Sequence, residues 1–256
     1  MKIQILSDLH VDFQQNYGKF TNRCHPRADT LVIAGDVHPH KDGSTWNAVH
    51  EKFITTRLLP KWKNVILIPG NHEFYGGNAN DEMFGRCMKV YENSDGHKVY
   101  YCNNHTIELE GVYFICSTLW SHIGFDRAYH VQHSMNDYRM VKGLTVDMIN
   151  DIHIKNRQFL SDALQKIPKG KRCIIVTHHI PSFNLISQRW RSNDLNDAFS
   201  ADMDTFIMMN SDKISYWVHG HSHDYCDQIL DGVHFIRNPM GYPREEGGDM
   251  DLVVNI

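Results

Sequence analysis

Short apolar runs that stop abruptly on polar residues recur along this chain. Ile3–Leu6, Leu31–Ala34, Val65–Ile68, Cys173–Val176 and Ile214–Val218 are largely apolar and rich in β-branched side chains, the pattern of strands buried on both faces. Each run is followed at once by Asp, Asn or His. The endings are Asp8-Leu9-His10, Gly35-Asp36, Gly70-Asn71-His72-Glu73, Thr177-His178-His179 and His219-Gly220-His221-Ser222-His223. In open α/β sheets ligands bind outside the carboxyl ends of the strands, so these strands deliver polar groups to a site. Residues two apart on an extended or turning backbone point the same way. Asp8 with His10, and His221 with His223, can therefore each reach a common point.

Between the runs the period changes. Trp46, Val49, Phe53 and Ile54 recur at helical spacing and predict a helix from about Ser44 to Leu59, ended near Pro60. Strand, helix, strand with short links is the signature of parallel pairing. Met83, Phe84, Cys87, Met88 and Tyr91 predict a further helix with a core-facing stripe. Thr106–Leu109 and Val112–Ser117 flank Glu110-Gly111, and Ile229–Leu230 and Val233–Ile236 flank Asp231-Gly232, each reading as a hairpin. Thr145 is placed to cap a long helix, Val146 to Gln165, and Leu252 to Ile256 reads as a last strand.

Two stretches, Leu119 to Gly143 and Ser182 to Asp197, are polar or aromatic without sustained periodicity. They read as rim loops, and long irregular segments in compact domains tend to carry function. Trp120, His122, Asn136, Tyr138 and Arg139 in the first are candidate substrate contacts. No linker, repeat or low-complexity run interrupts residues 1–256, which read as one domain.

Composition narrows the chemistry. With 41% apolar residues the 256-residue chain can build a sizeable core, and disorder is excluded. A net charge of −4 gives no electrostatic footprint for nucleic acid or an anionic membrane. There is no signal-peptide core after Met1 and no run of transmembrane length. The 6 cysteines form no CxxC pair and read as reduced thiols, so a cytoplasmic location is expected. The 18 histidines are the compositional outlier.

A buried cluster of carboxylates and imidazoles is costly unless it holds a cation. Asp8, His10, Asp36, Asn71, His178, His221 and His223 offer mixed oxygen and nitrogen donors with no thiolate. Such a set suits manganese first, with iron or zinc as alternatives. It is too large for one open catalytic ion and about right for two, and paired ions roughly 3.5–4 Å apart serve in-line displacement at phosphorus.

In order and spacing, Asp8-x-His10, Gly35-Asp36, Gly70-Asn71-His72-Glu73, His178 and Gly220-His221-x-His223 resemble the motifs of the calcineurin-like metallophosphoesterases. The resemblance implies an α/β fold, a four-layer α-β-β-α sandwich of two mixed β-sheets flanked by helices. It implies two divalent metal ions, one on Asp8, His10, Asp36 and His223, the other on Asp36, Asn71, His178 and His221, with Asp36 bridging. Hydrolysis of a phosphate ester by a metal-bridging hydroxide would follow, with His72 protonating the leaving oxygen or stabilising the transition state. Glu73 is expected to orient ligands rather than bind, and His38, His40, His179 and His219 to be surface or core histidines.

Departures from the family's branches shape the substrate expectation. Asp36 is followed by Val37-His38-Pro39-His40-Lys41 rather than the Asp-Arg-Gly of the protein phosphatases. The extra domains of the repair nucleases and the apolar cap of the lipid-precursor enzymes are not expected either. Asn238-Pro239-Met240-Gly241-Tyr242 is similar to a segment of compact bacterial and phage members and is expected at the edge of the site. The leading expectation is a phosphodiesterase for a small nucleotide-like substrate. A phosphomonoesterase or nuclease of the same fold, or a non-catalytic binding scaffold, are the alternatives.

Overall fold

The computed structural model describes residues 1–39 and 44–256. His40 therefore lies outside the described residues, as does the side chain of Trp46. The first sheet contains β1 (Lys2–Leu6), β2 (Thr30–Ile33), β3 (Asn64–Leu67), β4 (Cys87–Glu92), β5 (Lys98–Asn103) and β12 (Val253–Asn255), in the order β12-β1-β2-β3-β5-β4. The second contains β6 (His105–Leu109), β7 (Val112–Ser117), β8 (Cys173–Thr177), β9 (Ile214–Val218), β10 (Cys226–Leu230) and β11 (Val233–Arg237), in the order β10-β11-β9-β8-β7-β6. Both sheets are mixed, with parallel centres and antiparallel edges.

Period-two alternation sorts each strand's side chains between two layers. Ile3, Ile5, Val32, Ile66, Phe114, Ile174, Val176 and Val218 meet between the sheets. The alternate residues Leu6, Ile33 and Leu67 pack outward with Phe20 and Phe53, under α1 (Gln14–Arg23) and α2 (Ser44–Phe53). On the opposite outside Ile115, Ile175, Trp217 and Phe235 meet Leu160, Leu164 and Ile207. The last three come from α6 (Val146–Lys166) and α7 (Asp204–Asn210). The result is the four-layer α-β-β-α sandwich.

Register sets the strand ends level. Leu6 pairs with Ile33 and Ile33 with Leu67, so Asp8, Asp36 and Asn71 leave the first sheet side by side. In the second sheet Ser117 pairs with Thr177 and Val176 with Val218, which aligns the exits toward His178 and His221. α6 begins at Thr145, whose hydroxyl accepts the Met148 N–H, as the sequence predicts. Both hairpins and the last strand also form.

Two segments differ from expectation. The helix through Met83 to Tyr91 does not form: α3 (Asp81–Phe84) stops after one turn, and Cys87–Glu92 pairs antiparallel with β5 as an edge strand. Met88 and Val90 are exposed on that edge. The spacing of Met83, Phe84, Cys87, Met88 and Tyr91 fits a helix, but the free edge of β5 supplies backbone partners that override it. The stretch 119–143 is not irregular either. It holds α4 (Phe125–Ser134) and α5 (Asp137–Met140).

Candidate metal centre

The strand ends are fixed in a left-handed backbone that only a cross-braced structure retains. Asp8, His10, Asp36, His221 and His223 all have φ between 43° and 80°, a region that costs a residue with a side chain and clusters at functional sites. The braces are visible. The Asp8 N–H donates to the Gly35 carbonyl at 3.0 Å, that of His10 to Asp36 at 2.9 Å, and that of Gly220 to His178 at 2.9 Å. Gly70 lets the β2 and β3 exits touch, since a Cβ there would lie 2.1 Å from Asp36 Oδ1.

The side chains converge on Asp36. Its Oδ2 lies 3.4 Å from His178 Nε2, 3.7 Å from His10 Nε2 and 3.9 Å from His72 Nε2. His223 Nε2 is 3.6 Å from Asp8 Oδ1, and His178 Nε2 is 3.0 Å from Asn71 Oδ1. Donor atoms of Asp8, His10, Asp36 and His223 lie within 4.8 Å of one another, as do those of Asp36, His178 and His221. Asp36 belongs to both groups.

Outer partners fix which nitrogen His178 and His223 present. His178 Nδ1 donates to the Ala34 carbonyl at 2.8 Å, and His223 Nδ1 donates to Glu245 Oε2 at 2.6 Å. Each ring then turns an Nε2 lone pair inward, the arrangement typical of a metal-bound histidine. Glu73 accepts the N–H groups of Gly70, Asp36, Val37 and His38 and clasps the β2 and β3 exits together.

This donor set fits divalent cations. The His178 lone pair faces the Asn71 carbonyl oxygen, and His10 Nε2 stands 3.1 Å from His223 Nε2. Two lone pairs cannot face each other at such distances without a proton or a cation between them. The titration behaviour says the same. Burial opposes it, yet the Asp36 carboxylate pushes His178 up to about 10, so a proton takes the cation's place. Asp36 is held well below the usual carboxylate range, because His178 and His72 outweigh its burial. Burial drives His10 and His221 well down, leaving neutral donors. Glu73 is pulled both ways: burial and Asp36 push it up to about 7, against the N–H donors that favour the carboxylate.

A family model described as calcineurin-like phosphoesterase matches residues 1–225. This chain belongs to that family. It is a metal-dependent phosphoric ester hydrolase. An uncharacterized protein of Acanthamoeba polyphaga mimivirus is 28% identical over 236 residues, spanning 84% of this chain and 79% of that one. The fold is shared with the phosphopantetheinyl hydrolase of Mycobacterium tuberculosis, with a TM-score of 0.65 at 16% identity over 95% of this chain and 90% of that one.

Beside the metal centre of this phosphoesterase opens a cavity of about 380 Å³, lined on one side by Asp36, Asn71, His72 and His221. His72 is partly exposed there. Its ring lies against Tyr75 with centroids 4.2 Å apart, and its Nε2 is 3.3 Å from the Tyr242 hydroxyl. Tyr242 thus stands at the edge of the site, where its segment was expected. The far wall comes from the stretch expected as a rim loop, folded into short turns at Phe183–Leu185, Gln188–Trp190 and Asn196–Ala198. Arg189, Trp190, Asn193 and Phe199 line it.

The candidate substrate contacts divide. Asn136 lines the cavity. Trp120 is buried among Phe74, Phe84 and His179, His122 sits beside His153, and Tyr138 packs beside the α4–α6 core; none of the three lines the cavity. Arg139 donates to the carbonyls of His133 and Ser134, at the carboxyl end of α4, where a cation meets the helix dipole. His38, His179 and His219 are buried. Asp137, Glu245, Arg189 and Trp190 also line the cavity. Their only sequence signal is closeness to Asn136, to Tyr242 and to the second aperiodic stretch.

Proposed function

We propose that this phosphoesterase cleaves a small nucleotide-like phosphodiester with two divalent ions, manganese first and iron or zinc as alternatives. Asp8, His10, Asp36 and His223 would hold one ion and Asp36, Asn71, His178 and His221 the other. The observation that carries the reading is Asp36 Oδ2, ringed by imidazole nitrogens from three different strand ends. Bound there, the ions would supply a hydroxide near neutral pH and positive charge facing the phosphoryl oxygens.

The chain's own residues supply the rest. His72 Nε2 faces the cavity and is the proton donor to the leaving oxygen, a role suited to an imidazole. Tyr75 fixes the plane of its ring, and the Tyr242 hydroxyl meets its Nε2. Across the cavity Arg189, ion-paired with Asp224 and lying over the Trp190 ring, would turn its remaining N–H groups to the ester's anionic oxygens, and the half-exposed Trp190 ring would stack on a base. The amides of Asn136 and Asn193 stand where a base edge would be read. The volume suits a nucleotide-sized ligand. All the cysteines are free thiols, in keeping with a cytoplasmic protein, and residues 1–256 act as one domain in this reading. Among the described residues no helix is long and apolar enough to cross a membrane.

The test compares a nucleoside phosphodiester with an alkyl phosphodiester lacking a base, using manganese-loaded protein. Base–aromatic stacking is worth about 1–3 kcal/mol. Trp190→Ala should therefore raise KM for the nucleoside ester roughly 5- to 150-fold and leave the alkyl ester unchanged. Equal effects on both would remove the base from the reading.

A further inference from the structure

An asparagine ligand carries an ambiguity that no motif resolves. Its amide ends in an oxygen on one side and an NH2 on the other, and only the oxygen can bind a cation. In this protein Asn71 Nδ2 donates to Asp137 Oδ1 at 2.7 Å and to the Tyr75 hydroxyl at 3.2 Å. The Tyr75 hydroxyl donates in turn to the same Asp137 oxygen at 3.3 Å. Asp137 opens α5, and both it and Asn71 are buried. A flipped amide would set Asn71 Oδ1 against Asp137 Oδ1 as two acceptors in contact. It would also turn the NH2 toward His178 Nε2, now 3.0 Å from the oxygen.

We infer that Asp137 is a positioning residue that locks the Asn71 amide with its oxygen toward the second ion site. The inference rests on the ligand assignment proposed above. It carries a consequence opposite in sign to ordinary ligand chemistry. A carboxylate binds a hard cation more strongly than a neutral amide, so Asn71→Asp would be expected to tighten the site. Here it sets two buried carboxylates face to face, and the site weakens. Removing Asp137 relieves that repulsion. Because both terminal atoms of the introduced carboxylate are oxygens, no orientation then needs fixing.

Calorimetric titration of manganese into chelator-stripped protein tests this in four variants. The wild type should take up two ions. Asp137→Ala should weaken one site about 10- to 100-fold, the usual effect of removing an outer-shell partner, and spare the other. Asn71→Asp should weaken the same site. The double variant Asn71→Asp/Asp137→Ala should bind there more tightly than either single variant. Wild-type affinity in Asp137→Ala, tightening in Asn71→Asp, or no recovery in the double variant would each overturn the inference. Where Asp137→Ala fails to fold, the near-isosteric Asn71→Asp decides by the direction of its change. A wild type that takes up fewer than two ions would overturn the two-ion reading itself, a separate result.

Discussion

Glu73 reaches under the candidate metal centre and accepts the Asp36 N–H at 3.0 Å, tying the Asp36 backbone to the β3 exit. The same carboxylate accepts Gly70 at 2.6 Å, Val37 at 2.6 Å and His38 at 3.1 Å. An amide in its place keeps one acceptor and points NH2 at the other N–H pair. Each buried orphan donor costs about 1–3 kcal/mol, so Glu73→Gln should destabilise the protein by on the order of 3 kcal/mol. It should also loosen both ions, since Asp36 moves with its backbone. Thermal denaturation and metal titration check this; an unchanged Tm would show that the clasp contributes nothing.

His72 separates proton donation from electrostatic help. An alkoxide leaving group needs a proton in the transition state, whereas a nitrophenolate needs it far less. His72→Ala should keep both ions and lose about 10²–10⁴-fold on an alkyl or nucleoside ester, with a much smaller loss on a nitrophenyl ester. Equal losses with metals intact would point to charge stabilisation instead, and loss of metal would make the residue structural.

Glu245 should act on the first ion site alone. Its Oε2 accepts both His223 Nδ1–H and the Tyr242 N–H. Glu245→Ala should weaken manganese at one site about 10- to 100-fold, and at the site that Asp137→Ala spares. Loss at the same site as Asp137→Ala would contradict the assignment of His223.

Away from the metal centre, His153 sets part of the acid sensitivity. It is buried on α6 and donates Nδ1–H to the Trp120 carbonyl at 2.7 Å. Burial lowers it to about 4 from an ordinary 6.5. Between those values the unfolded chain binds a proton here that the folded chain does not. Stability is therefore whole above pH 6.5 and falls as pH drops toward 4, by about 3 kcal/mol in all. Denaturant melts of chelator-stripped protein should show a pH slope shallower by about one proton in His153→Gln. An identical slope would mean the imidazole protonates freely in the fold.

The strand ends that build the candidate site were legible because two independent signals coincide there. Apolar β-branched runs mark the strands, and Asp, Asn and His mark their exits, so Asp36 and His178 stand out without any contact map. The helix at Phe125–Ser134 was not legible. Phe125 and Tyr129 point outward and only Val131 is buried, so no apolar stripe announces it. Cys87–Glu92 misled for the converse reason, since its apolar residues sit on a sheet edge at a spacing that also suits a helix. Asp137 and Glu245 look like surface acids in the sequence. Their roles come from what folds against them, the Asn71 amide and the His223 ring. Arg139 shows the same limit, an arginine suited to phosphate that the fold spends on a helix end.

In the proposed reading Asp36 joins two ions in one hydrolytic site. Titrating manganese into chelator-stripped protein while following hydrolysis of a phosphodiester tests it most directly, with Asp36→Asn in parallel. The stripped protein should be inactive, activity should rise only with the second equivalent, and Asp36→Asn should take up metal more weakly at both sites. Full activity at one equivalent, or two tightly held ions in Asp36→Asn, would contradict it.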